Sequence, residues 1–230
     1  MHVRRPHPIR AGVAALIAAS TASCRDAAID PRCSPYAHTS TYGWCMADAV
    51  HALTDPSRLD AHCAQAAPYT RECRHRFVAR FVPDMRVDRP TLLRWCGDGD
   101  DCRLEVIEAR PEPDIHPQLQ LCDAEAGRFA ADCATHALQR WATGTPSTTD
   151  IDALVANPVA DPQLVGGWIG AAVACRQVGR CPAHGPTASA CAEGASLMQR
   201  SPERCPQPAH AQPARGLAAP GSPPPRAAGG

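Results

Sequence analysis

Thirteen cysteines in a chain of 230 residues constrain its fold more than any other feature. In an oxidising compartment each pair of them becomes a cross-link, and a disulfide stabilises a fold by about 2 to 4 kcal/mol, chiefly by restricting the unfolded chain. The rest of the sequence offers little else. Aromatic residues make up 4% of the chain, with three Phe, three Tyr and four Trp, and much of the remaining apolar content is alanine. Side chains this small bury little area, so burial alone leaves the fold marginal. The cysteines therefore read as staples.

An odd number leaves one cysteine over, and the N-terminal segment contains the candidate. Arg4, Arg5 and Arg10 precede the apolar run AGVAALIAA (11–19) with no acid among them, and small residues follow. This is the layout of a secretory signal, and its apolar run falls far short of the roughly 20 residues that cross a bilayer. GGWIGAAVA (166–174) is also too short, because it stops at Cys175 and Arg176. Ser20 and Ala22 suit an ordinary cleavage before Ser23, which would leave Cys24 as a spare thiol in a secreted, unlipidated protein. Thr21-Ala22-Ser23-Cys24 also resembles the lipobox of bacterial lipoproteins, with Thr21 where that family usually has Leu. The resemblance implies a diacylglycerol thioether on Cys24 and acyl chains such as palmitate. These would anchor the protein to an envelope membrane, facing the periplasm or the cell surface. Lipidation of Cys24 would leave an even set of twelve, and all of them can pair.

Those twelve fall into fours: Cys33, Cys45, Cys63 and Cys73; Cys96, Cys102, Cys122 and Cys133; Cys175, Cys181, Cys191 and Cys205. CAQAAPYTREC (63–73) and CDAEAGRFAADC (122–133) share an order of cysteine, small residues, turn residue, aromatic, acid, cysteine. Beyond them Val78 and Leu138, Arg80 and Arg140, and Phe81 and Trp141 stay in register. A repeat of about sixty residues follows, indicating internal duplication. Cys96 to Cys102 and Cys175 to Cys181 have equal gaps, but the third group is degenerate and no apolar helix follows Cys205. The expected organisation is a signal peptide (1–23), a tether (24–40), a duplicated hairpin region (41–142), a linker (143–150), a third unit (151–205) and a disordered Pro/Ala/Gly tail (206–230).

The fold class expected is all-α, with disulfide-stapled helical hairpins in tandem. Apolar residues recur at three and four in YGWCMADAVHAL and FAADCATHALQRW, and period-two alternation is nearly absent. Asp55-Pro56, Asp161-Pro162 and Thr149-Asp150 are suited to helix starts. Pro68 and Gly127 lie between the cysteines of the two matching pairs, where each would break a helix. Cys63 with Cys73, and Cys122 with Cys133, then sit just either side of a helix connection, which is within disulfide reach. The spacing resembles the twin-cysteine helical hairpins of the mitochondrial intermembrane space, as convergence on the same staple and with no function implied. Connectivity beyond this most local choice stays open.

Chemistry-bearing patterns are sparse. Cys133-Ala-Thr-His136 and Cys181-Pro-Ala-His184 have metal-ligand spacing, and His62 and His75 lie near other cysteines, but no C-x-x-C accompanies them. The loop CGDGDDC places Asp98, Asp100 and Asp101 among glycines, as part of a calcium loop would, although Asp and Gly also dominate plain turns. A calcium- or zinc-binding module is therefore the alternative expectation. Glu105, Glu108 and Asp132 read as a solvated helix face, and His51, His116 and His210 as surface residues. No nucleophile elbow, zinc-protease, P-loop or dinucleotide motif occurs, so neither enzyme activity nor a cofactor is expected. The net charge is zero, and with no lysine and scattered arginines no nucleic acid footprint is present. The expectation is a non-catalytic lipoprotein scaffold whose partner is an envelope protein or polymer.

Overall fold

The computed structural model describes residues 30–157 and 159–205. The signal segment, Cys24, the first part of the tether, Pro158 and the tail lie outside the described residues. The described residues are all-helical: α1 (Tyr42–Ala49), α2 (Leu59–Gln65), α3 (Thr70–Ala79), α4 (Arg89–Cys96), α5 (Asp100–Ala109), α6 (Ile115–Glu125), α7 (Ala130–Thr143), α8 (Thr148–Ala156), α9 (Pro162–Arg176) and α10 (Ala188–Arg200).

Helix starts follow the capping residues. The Asp88 carboxylate accepts from the Thr91 N–H at 2.8 Å ahead of Pro90, and Asp161 accepts from Gln163 at 2.9 Å before Pro162. Asp55 caps only a 3-10 turn, Pro56–Arg58, which leads into α2. At α8 the cap is Ser147, in a reciprocal capping box with Asp150. The linker expected over 143–150 is accordingly reduced to residues 144–147, because α7 runs through Thr143 and α8 begins at Thr148. Gly127 turns the chain between α6 and α7 at φ +55°, and a Cβ there would run into the Asp100 carboxylate. Glycine satisfies both demands.

The odd-numbered helices form one layer, with α1 on α3, α3 on α5, α5 on α7 and α7 on α9. The even helices form the second: α2 and α4 both touch α3, α4 and α6 both touch α5, and α8 packs on α6. Finally, α10 lies along α9 and closes the stack. One continuous core runs between the layers, through Leu59, Phe77, Leu92, Ile107, Leu119, Leu138, Leu154 and Ile169. Phe77, Phe81 and Trp95 meet in a cluster with ring centroids 5.0 to 5.4 Å apart. Three of the scarce aromatics are thus concentrated at one point, while Tyr42, Trp141 and Trp168 pack singly against a core that is otherwise aliphatic and sulfur.

Disulfides close the hairpins. Cys63–Cys73 joins α2 to α3, Cys96–Cys102 joins α4 to α5, and Cys122–Cys133 joins α6 to α7. Cys33–Cys45 folds the residues after Asp30 onto α1. The third group pairs differently: Cys175 reaches Cys205 while Cys181 bonds Cys191 inside that loop. The equal gaps at Cys96 and Cys175 therefore carry unequal pairings. After α9, Gln177 at φ 57° and Gly179 at φ 64° reverse the chain and carry Cys181 toward α10.

A shorter period lies inside the sixty-residue one. Arg80, Arg110 and Arg140 recur at steps of about thirty residues, each near the end of an odd helix. Each donates to carbonyls at the end of the preceding odd helix: Arg80 to Val50 and Leu53, Arg110 to Phe81, Val82 and Asp84, and Arg140 to Glu108. Arg176 does the same for Ala142 and Thr143. Helix C-termini leave such carbonyls without intrahelical partners, and a guanidinium satisfies several at once. The structural repeat is one hairpin with its arginine clasp, and the sixty-residue unit is two of them.

Candidate functional site

The odd layer presents a row of polar side chains across four adjacent helices. On α5, Glu105 and Glu108 lie one turn apart and face opposite neighbours. Glu105 pairs with Nε2 of His75 on α3, and Glu108 with Nδ1 of His136 on α7. Toward α1, Arg76 donates to Glu72 on its own helix at 2.8 Å and to Asp48 on α1 at 2.8 Å. The Arg76 guanidinium also lies over the Trp44 ring, 4.6 Å from its centroid, a cation–π contact. Trp44 is 46% exposed and meets Tyr69 edge-on at 5.5 Å. Aromatic, cationic and anionic groups thus alternate along one surface.

The Glu105 hydrogen bond raises the His75 pKa above its ordinary value, against the opposing effect of burial, with the charges of Glu105, Glu72 and Asp101 adding to the rise. Protonated His75 is the form that the row favours.

The residues read from sequence as metal candidates do not converge. Asp98, in the connection before α5, accepts from Arg71 at 2.9 Å, and this partner holds its carboxyl below the usual range. Asp100 and Asp101 belong to the first turn of α5 and face Arg128 at 3.7 and 2.8 Å. His184 is exposed in the loop before α10, remote in sequence and element from His136 on α7. The cysteines of both Cys-x-x-His pairs are oxidised, and a disulfide sulfur is no thiolate ligand. Among the described residues no group of three or more His, Cys, Asp or Glu side chains is arranged to hold a metal. Asp132 and His51 are exposed, His116 contacts Gln120 at 3.1 Å, and His210 lies outside the described residues.

Sequence reasoning missed two features. The Trp44–Arg76 contact joins residues 32 positions apart in the chain, which no local pattern announces. The second is a groove of about 510 Å³ between the loop before α6, the end of α7 and the start of α8. Trp141 lines it and donates from Nε1 to Asp150 at 3.1 Å, and the same carboxylate caps α8. The conspicuous signal was Trp141 itself, placed just before a proline-containing connection.

No family model matches the chain, and no curated protein or solved structure is significantly similar to it.

Proposed function

We propose that the protein is a non-catalytic binding scaffold, anchored to an envelope membrane through Cys24, which uses its odd-helix surface to hold an envelope protein or polymer. The row from Trp44 to His136 is the observation that carries the binding assignment. It spans four helices of one rigid layer, offers donors and acceptors in fixed register, and exposes an aromatic ring beside a guanidinium. Stacked repeats characteristically bind through such extended surfaces. Six disulfides agree with an oxidising, exported setting. They account for every cysteine from Cys33 to Cys205, so Cys24 remains as the one to be lipidated. No helix among the described residues is long and apolar enough to cross a membrane, and acyl chains at about 0.8 kcal/mol per buried methylene would supply the anchorage.

The experiment is in two parts. Mass spectrometry of the membrane-extracted chain should find a diacylglycerol adduct on Cys24 and no alkylatable thiol before reduction, and Cys24→Ser should release a folded protein. Photo-cross-linking in intact envelopes from position 108, on the odd face, should yield adducts that a probe at exposed Arg94, on α4, does not. Equal labelling from both faces would refute the binding surface, and an unmodified Cys24 would refute the anchor.

A further inference from the structure

We propose that the groove beside Trp141 is the docking site of the chain's own proline-rich segment, Pro223-Pro224-Pro225-Arg226. The inference is independent of the scaffold function.

Three observations support it. The first is the chemistry of the groove: Trp141 lines it together with Pro111 and Pro113. An aromatic ring flanked by apolar shelves is the surface on which polyproline II segments dock, because that helix is preformed and loses little entropy on binding. A tail of Pro, Ala and Gly cannot build a core of its own, and a groove supplies the missing one.

The second is charge. Residues 206–230 contain Arg215 and Arg226 and no acid. In the groove, Asp150 is contacted by the Trp141 indole and the Ser147 amide, which are neutral donors. Asp114 is exposed, and its side chain makes no capping bond to α6. Of the other charges there, Glu112 pairs with Arg89, and Arg140 donates only to the neutral Glu108 carbonyl and keeps its positive charge. Two carboxylates against one guanidinium leave the groove net negative toward an incoming arginine.

The third is position. The tail leaves the fold at Cys205, which is bonded to Cys175. The neighbouring Arg176 donates to the carbonyls of Ala142 and Thr143, residues flanked by Trp141 and Gly144 of the groove. The tail thus starts from the residue bonded to the neighbour of Arg176, whose guanidinium reaches the chain beside the groove. Residues 206–222 separate Cys205 from Pro223, and a random coil of that length has a root-mean-square span of roughly 20 to 25 Å. The other segment outside the described residues enters at Asp30, beside α1 at the far end of the stack.

Tethering raises the effective concentration of the segment to the order of millimolar, so an intrinsic dissociation constant of about 0.1 mM would leave it docked roughly ten to one. The test uses the full chain in three forms: unaltered, Asp114→Arg, and Pro223→Ala with Pro224→Ala, Pro225→Ala and Arg226→Ala. The expected result is that Asp114→Arg speeds tryptic cleavage after Arg226 about tenfold and that both variants move the Trp141 indole N–H resonance away from its position in the unaltered chain. The tail variant leaves the fold untouched, so its result stands even if Asp114→Arg disturbs α6. An unchanged indole resonance in the tail variant would overturn the proposal. Protection at Arg226 that grows with protein concentration would also overturn it, in favour of docking between copies.

Discussion

The stack from α2 to α7 and its closing end from α8 to α10 achieve the same helical architecture by different means. In the first, each hairpin is closed by a disulfide of sequence separation 10, 6 or 11, and arginine clasps tie one hairpin to the next. In the second, the α8–α9 hairpin has no staple, α10 is tied through Cys191 to the loop before it, and the bond from α9 to Cys205, just past α10, spans a separation of 30. Arg176 still clasps α9 to α7, but close backbone approach joins α9 to α10: a Cβ on Gly166 would sit 2.6 Å from the Thr187 carbonyl, and one on Gly194 would sit 2.6 Å from that of Gly167. Local cross-links suit elements that already meet in sequence. A long-range one must hold an end that has a neighbour on one side only.

The difference can be broken at its strongest point by replacing both Cys175 and Cys205 with serine. Closing a loop of 30 residues is worth about 3.5 kcal/mol in chain entropy. The expected loss of that order should appear as faster amide exchange in α9 and α10, while α3 and α5 keep their protection. Gly170→Ala comes next, because its Cβ would collide with the Cys191 carbonyl and the Ala195 amide. An overpacking cost of about 2 to 3 kcal/mol, read from denaturant midpoints, is expected. Replacing Cys96 and Cys102 with serine should cost only about 2 kcal/mol, since that loop has a separation of 6. A larger loss there than at Cys175–Cys205 would mean that loop length does not separate the two regions.

The smallest effect concerns pH. With its folded value raised by Glu105, His75 contributes stability that is fully present below the ordinary histidine value of about 6.5. That contribution is lost as pH rises through the raised value. The pair is partly exposed, at 34% and 45%, so solvent screening keeps the contribution under about 1 kcal/mol. His75→Gln should flatten the midpoint between pH 6 and 8, and an unchanged slope would assign it to another group.

This contrast also explains what the sequence made legible. The Cys63–Cys73 and Cys122–Cys133 hairpins could be read because Pro68 and Gly127 mark a turn between nearby cysteines, and the partners lie within one local loop. The thirty-residue step was hidden. The intervening α4–α5 hairpin turns on Gly97 and Gly99 without the aromatic–acid signature, so only every second unit looked alike. Arg80 and Arg140 are in register in the sequence, but Arg110 follows its cysteine by one residue more and joins them only through the carbonyls it reaches. The nested pairing at the closing end depends on where Gln177 and Gly179 send the chain, which cysteine spacing does not encode. The polar row was half legible. Glu105 and Glu108 read as a solvated face from the sequence, and their histidine partners are set by the stacking of α3, α5 and α7.

Every staple from α2 to α7 lies within a hairpin, and none joins one hairpin to the next. The stack is therefore a set of covalently locked tiles whose joints are made of apolar contact and guanidinium–carbonyl bonds. A pull between residues 30 and 205 is expected to part the tiles before any of them unravels, giving short, discrete and reversible extensions in place of one long rupture. In the proposed reading, with the chain tethered at one end and holding a partner along its side, such joints would make it a compliant link, one that yields under load and re-forms when the load is removed.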